Sequence, residues 1–568
     1  MRILGIHDGA NSCAGLVDDG RVVAVMQEER LTGVKNYAGF PHRAIAEVLR
    51  MGGCGLSDVE FVALGSQHMP FPVSRDDLVE KFRRHTTPSG MMRRVARRTK
   101  INDWYREQRR RDRLVQLQRA GIDPQKVKYV DHHFAHAAAA YFASPWPNDR
   151  VLVLTCDGGG DDLSATVNIG EGGRLTRLAQ IPDADSLGII YAVVTFLLGM
   201  VPNEHEYKLM GLAPYAPAKA SESVFAVLRD YLKMSPHNPL IWERGKGYPP
   251  ALYAYGFLRR AFELKRFDWI CGGLQMFTES LLTQWVRSCV RETGVPKVAL
   301  SGGVGMNVKA NKSIAELPEV ESLFVFPSCT DESNAVGAAW YVYANELLAR
   351  GEPVRVPPLG PLYWGPAFSD AECEAAFRAQ ANGFRVKECE DVEAETARLL
   401  ARGEVVARFS GRMEFGARAL GNRSILADPA DFRVVRIINE MVKSRDFWMP
   451  FAPSVLEERG PRYVLNPKGL RYPYMILAFD SNGNADDFIG AIHPYDRTLR
   501  PQEVYASWNP EYHRLIGEFE RLTGRAIILN TSLNLHGYPL VCSPDQALGV
   551  FLQSGLPHIA LGRFLLSK

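Results

Sequence analysis

The chain has 568 residues, more than a single hydrophobic core usually organises, so we expect at least two domains. Its 46% hydrophobic content excludes an intrinsically disordered protein, and its formal net charge of +3 gives no electrostatic reason to expect nucleic acid. The nine cysteines form no Cys-x-x-Cys pair and no run of about 18 apolar residues is present, so we expect a reduced, cytoplasmic protein without a membrane span.

The first predicted elements are strands separated by a polar loop. The run ILGI is followed by HDGANS and then by the strand-like CAGLV, at residues 3–17. The same pattern returns at VLVLTCDGGGDDLSATVNIG, where a strand that starts at Val151 enters an acidic, glycine-rich turn. Two such units in one chain are typical of the superfold of actin, heat-shock ATPases and sugar kinases, whose halves clasp a nucleotide. Two unrelated hairpins are the alternative interpretation.

Between these two units lie a basic tract and a histidine pair. The tract from Arg83 to Arg113 predicts a solvated or rim helix rather than a nucleic-acid arm. His132 and His136 are four residues apart in DHHFAHAAAAYFA, whose alanines favour a helix, so both imidazoles would share one helix face. Metal ligands use this spacing, although core or capping histidines would have the same one.

Polar residues also follow three later predicted strands. Asp157 (in TCDGGG) and Asp331 (in SCTDES) lie at strand ends, where carboxylates can converge on a cleft. In SGGVGMNVKANKSI, a glycine-rich turn leads into a helix and can aim backbone N–H groups at an anion. We expect Gly302, Gly303 and Asn307 to hold the ribose or phosphate of a nucleotide, unless this turn merely packs.

A proline-rich run from Glu352 to Pro366 predicts a domain boundary, which we place between domains 1–355 and 356–568. The later part predicts a separate α/β domain with three polar blocks, namely GRMEFGARALGNRSILADP at 411–429, KSRDFWMPFAPS at 443–454 and LNTSLNLHGYPLVCSPDQAL at 529–548. In the last block a buried strand enters a polar turn, and a helix then starts with Pro544 at its first position. Such a junction suits a site that grips a polyanion with fixed donors.

Together the three blocks resemble the C-terminal domain of the O-carbamoyltransferases that modify antibiotics and nodulation factors, the tobramycin carbamoyltransferase type. The HxxxH pair and the later aspartate are similar to those of the tRNA threonylcarbamoyl transferases. The resemblance implies an α/β protein in which an actin-like, two-lobed domain precedes a YrdC-like domain. It extends from His7 to Ala547 and is weakest from Pro217 to Asp268.

For the first domain, the resemblance implies a metal site and a nucleotide site. Fe²⁺ or another divalent transition metal would be held by His132, His136, Asp157 and Asp331, and the two histidines would take part in catalysis. His7 and Asp8 would contact the carbamoyl donor or activate the acceptor hydroxyl, although a His–Asp pair can also stabilise a turn. Lys35 and Lys208 would line the nucleotide site, where a plain surface lysine is the alternative.

For the second domain, the resemblance implies binding of carbamoyl phosphate and of ATP with Mg²⁺. Charged and neutral donors would neutralise the phosphates; these are Arg418, Lys443, Arg445, Arg500, Asn530 and Ser532. Each of these cations could instead form an ordinary surface salt bridge. One position departs from the family pattern, because Met449 precedes Pro-Phe-Ala-Pro where the family usually has Arg.

The expected function is therefore ATP-dependent O-carbamoyl transfer, through carbamoyl-adenylate, to a hydroxyl of a small acceptor in antibiotic biosynthesis or similar natural-product tailoring. The expected partners are carbamoyl phosphate, ATP and this acceptor, with a second copy of the chain as a further candidate. Threonylcarbamoyl transfer to tRNA is one alternative, which the near-neutral charge disfavours. A non-catalytic protein that binds nucleotide and metal is the other, which the polar site residues in both domains disfavour.

Overall fold

The computed structural model describes residues 1–69, 100–147, 149–380, 383–443, 446–483 and 485–568. The chain forms two compact units. The first contains Met1–Glu28 and Asn36–Leu359, and the second contains Gly360–Lys568 together with the short segment Glu29–Lys35. The second unit therefore includes a piece of chain from the N-terminal region.

The first unit contains two five-stranded sheets with the same topology. The strand order in the first sheet is Arg21–Gln27, Cys13–Asp18, Arg2–His7, Phe61–Leu64 and Val127–Tyr129. The order in the second is Arg174–Pro182, Leu163–Glu171, Val151–Gly160, Lys297–Ser301 and Ser322–Val325. In both, the first three strands are antiparallel neighbours and the last two run parallel to the central strand. This repetition confirms the fold of actin and the sugar kinases for the first domain.

Helices cover these sheets and hold them together. The described helices of the first unit are His42–Met51, Lys100–Arg119, His132–Ala143, Leu187–Leu197, Glu206–Leu212, Ala218–Tyr231, Tyr255–Ala261, Phe267–Thr293, Val308–Ala315 and Ser333–Ala349. A short helix, Glu28–Thr32, starts at the last residue of this unit's first segment and continues into the second unit. Two short strands, Leu232–Met234 and Trp242–Arg244, pair with each other.

Two of these helices pack unusually close together. A Cβ atom at Gly337 would lie 2.0 Å from the carbonyl oxygen of Ala135, so only glycine allows the helices His132–Ala143 and Ser333–Ala349 to approach this far. The contact brings the N-terminal ends of both helices to the same place. Residues at those ends form the site described below.

The second unit is built on a mixed eight-stranded sheet. Its strand order is Arg385–Glu388, Phe564–Ser567, His558–Leu561, Val406–Phe409, Arg423–Ala427, Ile527–Ser532, Ala452–Leu456 and Gln502–Val504. A smaller sheet contains Val464–Leu465, Phe479–Ser481 and Thr498–Leu499. The described helices are Asp370–Arg378, Val392–Ala401, Arg433–Ile438, Gly460–Tyr463, Pro510–Thr523 and Pro544–Gln553. Fully buried Leu529, Ile559 and Leu561 lie in its core, and the α/β class is as predicted.

The helix predicted to begin at Pro544 is confirmed, and the Ser543 side chain caps it by accepting a hydrogen bond from the Gln546 N–H. None of the nine cysteines forms a disulfide bond. Within the described parts of the chain, no helix combines the length and the apolar character needed to cross a membrane.

Candidate metal centre and phosphate site

Four side chains of the first unit converge on one point. His132, His136, Asp157 and Asp331 each offer a ligand atom, and these atoms all lie within 4.8 Å of one another. The Nε2 atoms of His132 and His136 are 3.2 Å apart. The Asp331 Oδ1 atom is 3.6 Å from each of them, and the Asp157 Oδ2 atom is 3.6 Å from His132 Nε2. The structure thus brings together the four residues that the sequence suggested as metal ligands.

The local structure fixes these side chains. The predicted helix around the histidines is present and puts both on one face. The Gly303 N–H donates to Asp157 Oδ1 at 2.7 Å, and the Ser333 hydroxyl lies 3.0 Å from His136 Nδ1. A Cβ at Gly160 would lie 2.2 Å from the His132 ring, so glycine is needed there for the imidazole to fit. Such outer contacts orient metal ligands in proteins.

The cluster favours positive charge at its centre. Burial alone would lower the pKa of His132, but the hydrogen bond to Asp157 and the charges of Asp331 and Asp157 raise this pKa to about 9. Burial lowers the pKa of His136. Two imidazole nitrogens and two carboxylates that face one another at these distances can share a bound cation. This donor set fits a divalent transition metal.

His7 adjoins the cluster. Its Nε2 atom lies 3.4 Å from Asp331 Oδ2, and the residue is 1% exposed. Neither ring nitrogen of His7 has a hydrogen-bond partner in the described residues. Because Nε2 already faces the Asp331 carboxylate, Nδ1 is the ring nitrogen that a bound molecule could reach.

Asp8, unlike the adjacent His7, is paired with an arginine. Its carboxylate accepts two hydrogen bonds from Arg113, each of 2.8 Å, and Arg113 also donates to the carbonyl oxygen (2.9 Å) and hydroxyl (2.7 Å) of Ser66. Both charged side chains are 1% exposed. Asp8 therefore pairs with Arg113 and not with His7. The described part of the basic tract is helical, as predicted, but Arg113 is buried and not solvated; residues 83–99 of the tract lie outside the described chain.

The residues predicted to bind a nucleotide in the first unit form hydrogen bonds to other residues of the protein. The Gly303 N–H is used by Asp157, and the amide groups of Asn307 and Gln275 exchange two hydrogen bonds of 2.9 and 3.0 Å. The sequence gave no signal for Gln275. Lys208 is half-buried on the helix Glu206–Leu212. Lys35 lies in the segment that groups with the second unit.

In the second unit, Lys443 and Ser532 come together. Lys443 is 3% exposed, and its Nζ donates to Asn534 Oδ1 at 2.6 Å and lies 3.2 Å from the Asn534 carbonyl oxygen and from Ser532 Oγ. It also contacts the carbonyl oxygen of Ser532. We call Lys443, Ser532 and Asn534 the lysine cradle. The sequence analysis did not select Asn534 as a site residue.

The other predicted phosphate contacts are spread around this sheet. Asn530 is buried, and its Nδ2 donates to the Ala419 carbonyl (3.1 Å), Ser454 Oγ (3.0 Å) and Gln502 Oε1 (3.2 Å), so it ties neighbouring strands together. Arg418 and Arg500 are partly exposed. Arg445 lies outside the described residues, and Met449 is buried, with 7% of its surface exposed.

Comparison with known proteins covers both units. The family model described as Carbamoyltransferase N-terminus matches residues 2–340, and the one described as Carbamoyltransferase C-terminus matches residues 397–568. A protein named sll1178 from Synechocystis is 31% identical over all of this chain and 96% of its own length. The nodulation protein NolNO of Sinorhizobium fredii is 31% identical over 99% of this chain and 79% of its own length.

Among solved structures, full-length HypF in a phosphate- and nucleotide-bound form matches 61% of this chain and 55% of its own, with 13% identity and a TM-score of 0.34. At that level the likeness adds nothing to the strand topology given above.

Proposed function

The chain belongs to the carbamoyltransferase family, and we propose that it is an ATP-dependent O-carbamoyltransferase with one half-reaction in each unit. The observation that carries this proposal is the presence of two separate polar centres, the His–Asp cluster within the first unit and the lysine cradle within the second. One centre suits a metal, and the other offers a buried cation to an anion. Formation of carbamoyl-adenylate and transfer of its carbamoyl group are different reactions, and each would need a site of its own.

We assign the first half-reaction to the second unit. Water splits carbamoyl phosphate into carbamate and phosphate; a carbamate oxygen then attacks the α-phosphorus of ATP, and pyrophosphate leaves. Magnesium accompanies the ATP and offsets its charge. Lys443 is almost fully buried, so its charge would act on a phosphate with little solvent screening. Its partners include the neutral oxygens of Ser532 and Asn534, which a phosphate oxygen could replace.

We assign the second half-reaction to the first unit. His7 accepts the proton of the acceptor hydroxyl, the hydroxyl oxygen attacks the carbamoyl carbon of carbamoyl-adenylate, and AMP leaves. The support for this role is that His7 is buried with Nε2 facing Asp331, while Nδ1 has no hydrogen-bond partner in the described residues. A divalent ion bound by His132, His136, Asp157 and Asp331 would polarise the carbamoyl oxygen as a Lewis acid. We propose Fe²⁺ as this ion.

The acceptor class we propose is a small hydroxylated natural product, such as an antibiotic or an oligosaccharide signal. The nodulation proteins among the relatives support this class by their names. Unpaired thiols are compatible with action in the reducing cytoplasm.

The test needs no knowledge of the acceptor. Purified protein is incubated with ATP and Mg²⁺, with and without carbamoyl phosphate, and pyrophosphate is measured. We expect pyrophosphate only when carbamoyl phosphate is present. A protein that binds nucleotide without turnover would release none, and that result would contradict the proposal. Mass spectrometry of hydroxylated metabolites after the same incubation would then identify the acceptor by its gain of a carbamoyl group.

A further inference from the structure

Arg30 comes from the N-terminal part of the chain but lies in the second unit. The segment Glu29–Lys35 groups with that unit, whereas the residues on both sides of it belong to the first. Arg30 is 4% exposed, and its Nη2 donates a 2.8 Å hydrogen bond to the carbonyl oxygen of Gly416. Its Nη1 lies 3.1 Å from a carboxylate oxygen of Glu29.

The same segment is joined to the helix that starts at Pro544. The Gln546 side chain donates to the Arg30 carbonyl oxygen at 3.2 Å and accepts from the Cys542 N–H at 2.6 Å. Arg30 therefore contacts two of the three polar blocks on which the family assignment of this unit rests. These blocks are the ones that contain Arg418 and Ser532.

The loop at 410–422 is well anchored at its base. Glu414 accepts hydrogen bonds from the backbone N–H groups of Leu420 (2.7 Å) and Arg423 (3.2 Å). Arg412 donates to the carbonyl oxygens of Trp364 and Gly365 at 2.9 and 3.0 Å. These contacts involve the two ends of the loop and not Gly416, which lies between them.

Gly416 lies at this tip. It has a φ of +96°, and Arg418 follows two residues later. Because Gly416 is buried, its carbonyl group needs a donor, and Arg30 supplies one. The guanidinium thus fixes the point from which the Arg418 side chain projects.

We propose that Arg30 is a positioning residue of the carbamoyl phosphate and ATP site in the second unit. It holds the tip of the loop 410–422 and thereby sets where Arg418 meets a phosphate. The inference rests on the proposed function of this unit. It also means that a segment from the N-terminal region completes the adenylate-forming site.

The experiment compares Arg30→Met and Arg30→Lys in the full-length protein, with carbamoyl-phosphate-dependent pyrophosphate release as the readout. Arg50→Met is the matched control, because Arg50 is 65% exposed and pairs with Glu47 on its own helix. We expect Arg30→Met to raise the KM for carbamoyl phosphate or ATP by about tenfold or more with a smaller change in kcat. Arg30→Lys keeps a donor and should stay within about threefold of the parent, and Arg50→Met should match the parent.

Metal content and the melting temperature of each variant show whether the fold is intact. If Arg30→Met does not fold, Arg30→Gln takes its place with the same expectation. Unchanged KM values in a folded Arg30→Met or Arg30→Gln protein would overturn the role assigned to Arg30, while the proposed function would stand. No pyrophosphate from the parent protein would overturn the proposed function, and the role of Arg30 with it.

Discussion

Arg113 and Asp8 form a buried, bidentate ion pair that joins the helix Lys100–Arg119 to the first loop of the protein. The pair occupies both oxygens of the Asp8 carboxylate, next to the imidazole of His7. Under the proposed function, Asp8 would therefore act through the position of its loop, and the role of proton acceptor would fall to His7.

The first prediction concerns this pair. Arg113→Met leaves a buried carboxylate without its partner, which should lower the free energy of unfolding of the first unit by about 3–5 kcal/mol. Adding Asp8→Asn removes the unpaired charge and should recover part of this loss. Arg106→Met on the same helix is the control, because its pair with Asp162 is exposed and contributes about 0–1 kcal/mol. Calorimetric melting checks these values; equal effects of Arg113→Met and Arg106→Met would contradict the prediction.

The second prediction separates the two centres. His132→Ala or His136→Ala removes a metal ligand, so transfer should be abolished while carbamoyl-adenylate formation continues. Metal analysis should find about one transition metal per chain in the parent and much less in the variants. His42→Ala is a suitable control, because this imidazole lies away from the cluster and bonds to Gln116. Loss of pyrophosphate release in the His132 and His136 variants would rule out the assignment of two separate sites.

The third prediction is the converse. Lys443→Ala, Ser532→Ala or Arg418→Ala should block adenylate formation, because each removes a donor to the phosphates, while transfer from supplied carbamoyl-adenylate survives. Arg436→Ala removes a cation that is 82% exposed on the adjoining helix and should behave like the parent. ATP consumption and product formation are measured separately. Unaltered ATP consumption in all three site variants would show that the lysine cradle is not a phosphate site.

The fourth prediction concerns Met449, which is buried and stands where the resemblance led us to expect an arginine. Met449→Arg puts a guanidinium at a buried position, where a bound anion could balance its charge. We expect ATP or carbamoyl phosphate to raise the melting temperature of this variant more than that of the parent. We also expect the KM for one of these substrates to fall by up to about tenfold. Unchanged KM values would place position 449 outside the site.

Local sequence patterns predicted the parts of the site that depend on local structure. The four-residue spacing and the alanine-rich sequence were enough to place His132 and His136 on one helix face. Asp157 was expected just after a strand, but the strand Val151–Gly160 continues past it, so Asp157 lies near the end of that strand. The Asp8–Arg113 pair was missed because its members are 105 positions apart and a basic run does not show which arginine is buried. The grouping of Glu29–Lys35 with the second unit was missed for the same reason, since contacts of this kind arise only on folding.

The membership of Glu29–Lys35 in the second unit sets a rule for building hybrid enzymes from this family. A chimera that joins one protein's first 359 residues to another's remainder would combine an Arg30 segment and a Gly416 loop that did not evolve together. A chimera in which residues 29–35 come from the same parent protein as the C-terminal half would keep the Arg30–Gly416 contact native. Recombination designs should therefore treat this short segment as part of the distant domain, whatever its place in the gene.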